Sequence, residues 1–399
     1  MTDTKNGKSF YEFFCPVKII AGLQALEHMP FELSMLQSKR PMVITDKGVI
    51  AAGLLKHVET AFAGTDIVIA ATFDNVPPDS SLETVRDAAH LYRANNCDAI
   101  LAVGGGSVID TSKGVNILVS EGGDDLERFS GAHHLKRPLK PLFVVPTTAG
   151  TGSEATMVAV ISDKEKGVKI PFTSYFLMPN AAVLDPRMTA TMPPHITAMT
   201  AMDAMTHAVE SYTCMAQNPL SEAFASRAVR KVSESLLHVM DNPQDMVGRL
   251  QLAQASTMAG VAFSNSMVGM VHSLGHSLGA LCHLPHGLCM NLFLPYVLDY
   301  NKDVNAEKIG ELLLPLCGPE VFAATPAAER ADKAIGHIRW LRDELFARAK
   351  LPRTLRETGK VTEDMISAIA EMALDDGSLL FNPKEADLED LIHVLRSAW

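Results

Sequence analysis

Over its first 185 residues the chain alternates short apolar, often β-branched runs with stretches of helical periodicity. Candidate strands are Met42–Thr45, Ile67–Thr72, Ala99–Val103, Leu142–Val145 and Ala181–Leu184. Between the second and third, Ser80–Asn95 places Leu82, Val85, Ala88, Ala89 and Tyr92 on one helical face, with Asp79 or Ser80 positioned as N-cap. Continuous apolar runs such as AILAV suit strands buried on both faces, so the alternation predicts a largely parallel sheet covered by helices. Past Asp185-Pro186 the β-branched runs fade, and Ala, Met, Leu and His at helical spacing take over. Helices are expected over Thr197–Cys214, Pro219–Met240, Gln244–Ser264, Val268–Cys282 and in several stretches beyond Ala306. Met192-Pro193-Pro194 interrupts the pattern, because each proline biases its predecessor away from helix. The expected division is an α/β domain over 1–190 followed by an all-helical domain over 191–399.

Composition narrows the function classes. The chain has 399 residues, 47% of them apolar and 20% charged, enough to bury a sizeable core. A formal net charge of −11 argues against a nucleic-acid surface, since acidic excess repels phosphate. No run approaches the roughly 18 to 20 apolar residues of a membrane helix, and MTDTKNGKSF lacks the apolar core of a signal peptide. The expectation is a soluble, cytoplasmic protein. Six cysteines without a CxxC pair fit a reducing compartment and argue against a disulfide framework or a thiolate zinc site. Histidine is the outlier: four of fourteen fall within fifteen residues, at His272, His276, His283 and His286.

Two loops come directly after predicted strands. After Ala99–Val103 comes Gly104-Gly105-Gly106-Ser107-Val108-Ile109-Asp110 and then a helical run from Thr111 to Leu118. Glycines remove the Cβ atoms that hold a ligand off the backbone, so amides at such a helix start can face a phosphate. Neither GxxxxGK[ST] nor GxGxxG spacing is present. After Leu142–Val145 comes PTTAGTGSE, rich in hydroxyls and open backbone. Both loops lie at C-terminal strand ends, where open α/β sheets bind ligands. Asp46 ends an earlier strand in ITDKG. It reads equally well as an Asx-turn residue opening a helix and as an acceptor for ribose hydroxyls.

Asp203 and His207 are i and i+4 in AMDAMTHAVESY, on one helical face, and His272 and His276 repeat the spacing in VHSLGHSLGA. His286 comes next in a Leu-Pro-His-Gly turn. Apolar neighbours make unpaired polar groups costly, and a metal ion supplies the pairing. Imidazoles with one carboxylate and no thiolate suit Fe(II) or Zn(II). His283 reads as solvent-facing.

The segments ITDKG, GGGSVIDTSKG, PTTAGTGSEAT, NAAVLDP, TAMDAMTHAVESY and VHSLGHSLGALCHLPHG together resemble the iron-containing, group III, alcohol dehydrogenase family over nearly the whole chain. The resemblance implies an N-terminal Rossmann-like α/β domain with a parallel sheet and an all-α C-terminal domain, the architecture also seen in dehydroquinate synthase. It puts metal ligands on Asp203, His207, His272 and His286, and a histidine near the nicotinamide on His276. It puts the cofactor diphosphate on Gly104, Gly105, Gly106 and Ser107 with Asp110 nearby, the second nucleotide loop on Thr147, Thr148 and Thr151, and a ribose contact on Lys169. Val108 stands where the family commonly has proline, and Ala201 where it often has glycine. Asp46 fits the version of the family that prefers NAD to NADP.

The activity implied by this resemblance is that of an NAD-dependent, divalent-metal-dependent dehydrogenase for a small alcohol or aldehyde, a diol or hydroxyaldehyde included. Fe(II) leads Zn(II) and Ni(II) as the metal, with His276 passing the proton. Phe263, Met267, Met270 and Cys282 offer apolar lining for a short substrate. The resemblance also implies a homodimer, with an edge strand over Val17–Ile20 as pairing element. Two rivals keep the fold: a hydroxyacid-oxoacid transhydrogenase on tightly held NAD, and a non-catalytic metal- or nucleotide-binding protein. A lyase of the dehydroquinate synthase type needs clustered basic residues that the metal-bearing segments lack.

Overall fold

The computed structural model describes Phe10–Trp399, so the N-terminal segment MTDTKNGKSF lies almost wholly outside the described residues. Among the described residues nine strands form in chain order: β1 Lys18–Ala21, β2 Pro41–Ile44, β3 Ala71–Phe73, β4 Ala99–Gly104, β5 Gly131–Ala132, β6 Leu142–Pro146, β7 Val158–Asp163, β8 Val168–Thr173 and β9 Ala181–Leu184. Six of them build one sheet in the order β1-β9-β6-β4-β2-β3, with every pair parallel.

The apolar runs explain this sheet. In β4, Ile100 and Ala102 enter the hydrophobic core on one face, while Ala99, Leu101 and Val103 enter the core on the other. A strand covered on both faces has no polar side to mark its period, so it reads as an unbroken apolar run. Helices Leu82–Ala94 and Gly106–Glu121 supply Leu82, Val85, Ala88, Val108 and Ile109 to the first core. The first of these helices starts at Leu82 with Ser81 as its cap, the Ser81 hydroxyl accepting from the Thr84 amide. That is one or two residues beyond the cap read from the sequence.

The expected strand Ile67–Thr72 is displaced. Only Ala71–Phe73 pairs with β2, because Ile67–Ala70 meets the sheet edge through single amides of Val68 and Ala70. The sequence pattern also gave no sign of the second sheet, in the order β5-β8-β7, in which β7 and β8 form an antiparallel hairpin around Gly167, at φ +67°. The outward positions of β7 carry apolar Val158 and Val160, so polar residues do not mark its alternation.

Beyond residue 190, helices run Pro194–Thr213, Pro219–Asp241, Met246–Ser264, Met270–Cys282, His286–Glu311 and Arg330–Ala349, with shorter ones to Ser397. No strand occurs there among the described residues. The chain divides into two compact units. One holds Pro16–Thr200 with His238–Gly260; the other holds Ala201–Leu237 and Val261–Trp399 with the described residues up to Cys15. Among the described residues no helix is long and apolar enough to cross a membrane.

Candidate active site

The sheet order brings three distant segments together. Strands β2, β4 and β6 are neighbours, so Asp46, the Gly104–Ser107 turn and the Thr147–Thr151 loop emerge side by side at their C-terminal ends. The Thr147 amide donates to the Gly104 carbonyl at 3.1 Å, joining the two loops. A Cβ on Gly106 would approach the Thr151 methyl to 2.8 Å, so glycine is what allows this contact. Gly105 caps the helix with extended backbone, and amides of the first turn, which have no partner within a helix, are free to meet an anion.

Several expected cofactor contacts have protein partners. Asp46 is the N-cap of Lys47–Ala51, its Oδ1 accepting from the Val49 amide at 2.9 Å. Ser107 donates its hydroxyl to the Pro78 carbonyl. Asp110 accepts from Ser153 Oγ at 2.7 Å and from the Val160 amide at 2.9 Å, so one oxygen braces the second loop and the other holds β7. Lys169 lies exposed on β8, 3.5 Å from Asp79. Val108 is buried against Gly104 in the position where proline was expected.

Nothing in the sequence pattern marked Lys113, which is fully buried. Its ammonium donates to the Ser153, Thr156 and Val158 carbonyls at 2.8, 2.9 and 2.7 Å and to the Ser153 and Thr156 hydroxyls. Burial pulls its pKa down to about 8, against the attraction of Asp110 and Glu154. The lysine ties the helix that begins at the glycine turn to the far end of the second loop. On the loop's other side, Gly152 abuts Gly260 of Met246–Ser264, where a Cβ on Gly152 would come within 2.6 Å of backbone.

In the helical unit, one ligand-type atom each from Asp203, His207, His272 and His286 falls within 4.8 Å of every other. Helix Pro194–Thr213 carries the first two one turn apart, Met270–Cys282 carries His272, and His286 opens the helix His286–Glu311. Asp203 Oδ1 lies 3.3 Å from His286 Nε2 and 3.8 Å from His207 Nδ1. Asp203 Oδ1, His207 Nδ1 and His272 Nε2 are buried without hydrogen-bond partners. Leaving one such atom unmet costs about 1–3 kcal/mol, and three aimed at a common point call for a group that satisfies all of them. Three imidazole nitrogens and one carboxylate oxygen fit a divalent cation.

Electrostatics prepare the same atoms. Burial pushes His207 down to about 3 and His272 well below its ordinary value, so both imidazoles are neutral at neutral pH, as ligands must be. Burial alone would raise Asp203, but the surrounding histidines hold it below the usual carboxylate range. Glu210, another residue unmarked in the sequence, is pushed up to about 7 by burial against the pull of backbone amides. It pairs with His272 Nδ1.

His276 is 45% exposed, its ring stacked 5.4 Å from that of His286, and Asp376 accepts from its Nδ1 at 2.8 Å. His283 is exposed, in the left-handed conformation that ends its helix. Of the expected pocket residues, Phe263 stacks on His207 at 4.4 Å. Met270 is fully buried, and Cys282 contacts Met365, so these two pack in the protein interior.

The model of the iron-containing alcohol dehydrogenases matches residues 16–186, and that of the C-terminal part of the Fe-containing alcohol dehydrogenase family matches 197–399. The chain is 32% identical over 390 residues to an NAD-dependent methanol dehydrogenase of Bacillus methanolicus, covering 97% of this chain and 99% of the relative. It is 34% identical over 395 residues to a 1,3-propanediol dehydrogenase of Citrobacter freundii, covering 98% and 99%. The crystal structure of a 1,3-propanediol oxidoreductase superposes with a TM-score of 0.90 at 32% identity, over 98% of this chain and 100% of that one. On these matches along its whole length, the chain belongs to the iron-containing alcohol dehydrogenase family and is an oxidoreductase of the alcohol dehydrogenase type.

Proposed function

We propose that this protein is an NAD-dependent, divalent-metal-dependent alcohol dehydrogenase acting on a small alcohol or its aldehyde, diols and hydroxyaldehydes included. The carrying observation is the cluster of Asp203, His207, His272 and His286, with three buried polar atoms lacking protein partners. These four would hold the ion, Fe(II) first with Zn(II) and Ni(II) suited to the same donors, and the ion would supply Lewis acidity at the substrate oxygen. Relatives named for methanol and 1,3-propanediol support a small alcohol as substrate.

The role of residues 1–190 in this reading is to bind the dinucleotide, and that of 191–399 is to hold metal and substrate. Amides of Gly104, Gly105, Gly106 and Ser107, with Thr147, Thr148 and Thr151, receive the diphosphate, while Lys169 reaches the ribose. His276, its Nδ1 held by Asp376, presents Nε2 for moving the hydroxyl proton. Elemental analysis of anaerobically purified protein, joined to an NAD-linked panel of small alcohols and aldehydes, tests the whole. Bound metal without any nicotinamide absorbance change across the panel would overturn it.

Asp46 both caps a helix and, in this reading, disfavours the extra phosphate of NADP. Asp46→Gly should raise the NADP-to-NAD ratio of kcat/KM about tenfold, roughly 1.4 kcal/mol, while losing only a few tenths of a kcal/mol of capping. An unchanged ratio leaves Asp46 with the cap alone. We further propose a homodimer through β1, the sheet's edge strand, where Ile19 is 41% exposed; Leu23, Phe31 and Met35, also apolar, are exposed as well. Sedimentation velocity showing only monomer at micromolar concentration rejects it. A cytoplasmic location is supported by six cysteines outside any disulfide. Thiol counts below six in protein alkylated at lysis would contradict it.

A further inference from the structure

Asp203, His207 and Glu210 stand at i, i+4 and i+7 on one helix, so all three project from one face. Glu210 is buried and reaches the start of Met270–Cys282, the helix that carries His272. Its two oxygens have different tasks. Oε1 accepts from the Val271 amide at 2.7 Å, and Oε2 pairs with His272 Nδ1. The neighbouring Met270 amide is taken by Asn382 Oδ1 at 3.3 Å, and Asn382 is itself held by Asn301. The cavity lined by Glu210, Asn301 and Asn382 measures about 10 Å³, room for at most one water.

A carboxylate is an acceptor at both oxygens. Facing an ionised Glu210, His272 carries its proton on Nδ1, which leaves Nε2 bare, and Nε2 is the buried atom without a partner. We propose that Glu210 is the positioning residue of the metal centre. It locks His272 in the tautomer and ring orientation that present Nε2 to the ion, and it pins that orientation to the helix start through Val271. This rests on the ligand set proposed above. One helix therefore provides two ligands and also sets the geometry of a third ligand on another helix.

Zinc affinity of the full chain, measured by chelator competition, tests this. Glu210→Gln keeps shape but replaces one acceptor by a donor. If the amide nitrogen faces His272 the tautomer inverts, and if it faces Val271 the anchor is lost. The expected weakening is roughly 10- to 100-fold, with a shifted visible spectrum in the cobalt-substituted protein. In the double variant Glu210→Gln, His272→Ala, the loss should not exceed that of His272→Ala alone. Affinity within twofold of wild type for Glu210→Gln, while His272→Ala loses zinc, overturns the role of Glu210 and leaves the ligand set standing. Unchanged affinity in His272→Ala overturns the ligand set itself. Should Glu210→Gln not fold, imidazole ¹⁵N shifts of the wild-type zinc protein decide the matter: His272 protonated at Nδ1 supports the proposal, and protonated at Nε2 refutes it.

Discussion

His272→Ala should lose bound metal and turnover together. His272 Nε2 is one of three buried atoms that point at the same place without a protein partner, and its ring is fixed from behind by Glu210. Removing a coordinating nitrogen should cost more affinity than the roughly 10- to 100-fold expected for an outer partner. Losing several kcal/mol of Lewis-acid assistance at the substrate oxygen should lower kcat about 10³-fold or more. Asp203→Ala should behave alike. The informative contrast is His276→Ala: its ring is half exposed and its Nδ1 is engaged by Asp376, so metal should stay while the rate falls. Elemental analysis of the three variants decides, and full metal content in either His272→Ala or Asp203→Ala would remove that residue from the ligand set.

The second large effect is expected from Lys113→Met. Methionine fills much the same volume but cannot donate, so the carbonyls of Ser153, Thr156 and Val158 lose their shared partner inside the protein. The Thr156 amide and hydroxyl remain as weaker donors to the Ser153 and Val158 carbonyls, so at about 1–3 kcal/mol for each acceptor left unmet the cost should reach roughly 2–4 kcal/mol. Those carbonyls belong to the segment just after Thr147–Thr151. The KM for NAD should therefore rise more than kcat falls. Chemical denaturation gives the stability change, and initial rates at varied NAD give the split. A variant as stable as wild type, with unchanged KM, would show that the loop holds its shape without the lysine.

Much of the fold is legible in the chain because its signals are local. AILAV and LFVV are apolar without alternation since both sheet faces are covered, and the apolar face from Leu82 to Tyr92 marks a helix, although its cap is Ser81 and not the Asp79 or Ser80 read from the sequence. The β7–β8 hairpin escaped because the outward positions of β7 carry apolar Val158 and Val160, so its alternation is not marked by polar residues. The i, i+4 spacing of Asp203 and His207, and of His272 and His276, is equally local. Spacing cannot separate His272 from His276, however. The first is buried with a bare Nε2, while the second is half exposed and paired with Asp376, a hundred residues away.

By its own pattern, then, the sequence determined a parallel α/β half, a helical half, two glycine- and threonine-rich loops and a set of histidines at helical spacing. These arise from which side chains prefer burial and which backbone angles each residue tolerates, properties that act over a few positions. Tertiary structure alone decided which distant groups meet. The order β6-β4-β2 sets Asp46, Gly104–Ser107 and Thr147–Thr151 side by side, Lys113 reaches the end of the second loop, and Glu210 reaches His272 across two helices. Lys113 and Glu210 are charged residues in helical positions, and their spacing along the chain does not tell which partners they meet. Their significance comes from burial against partners about 40 to 60 residues distant, since a buried charge persists only where the fold supplies its counterpart.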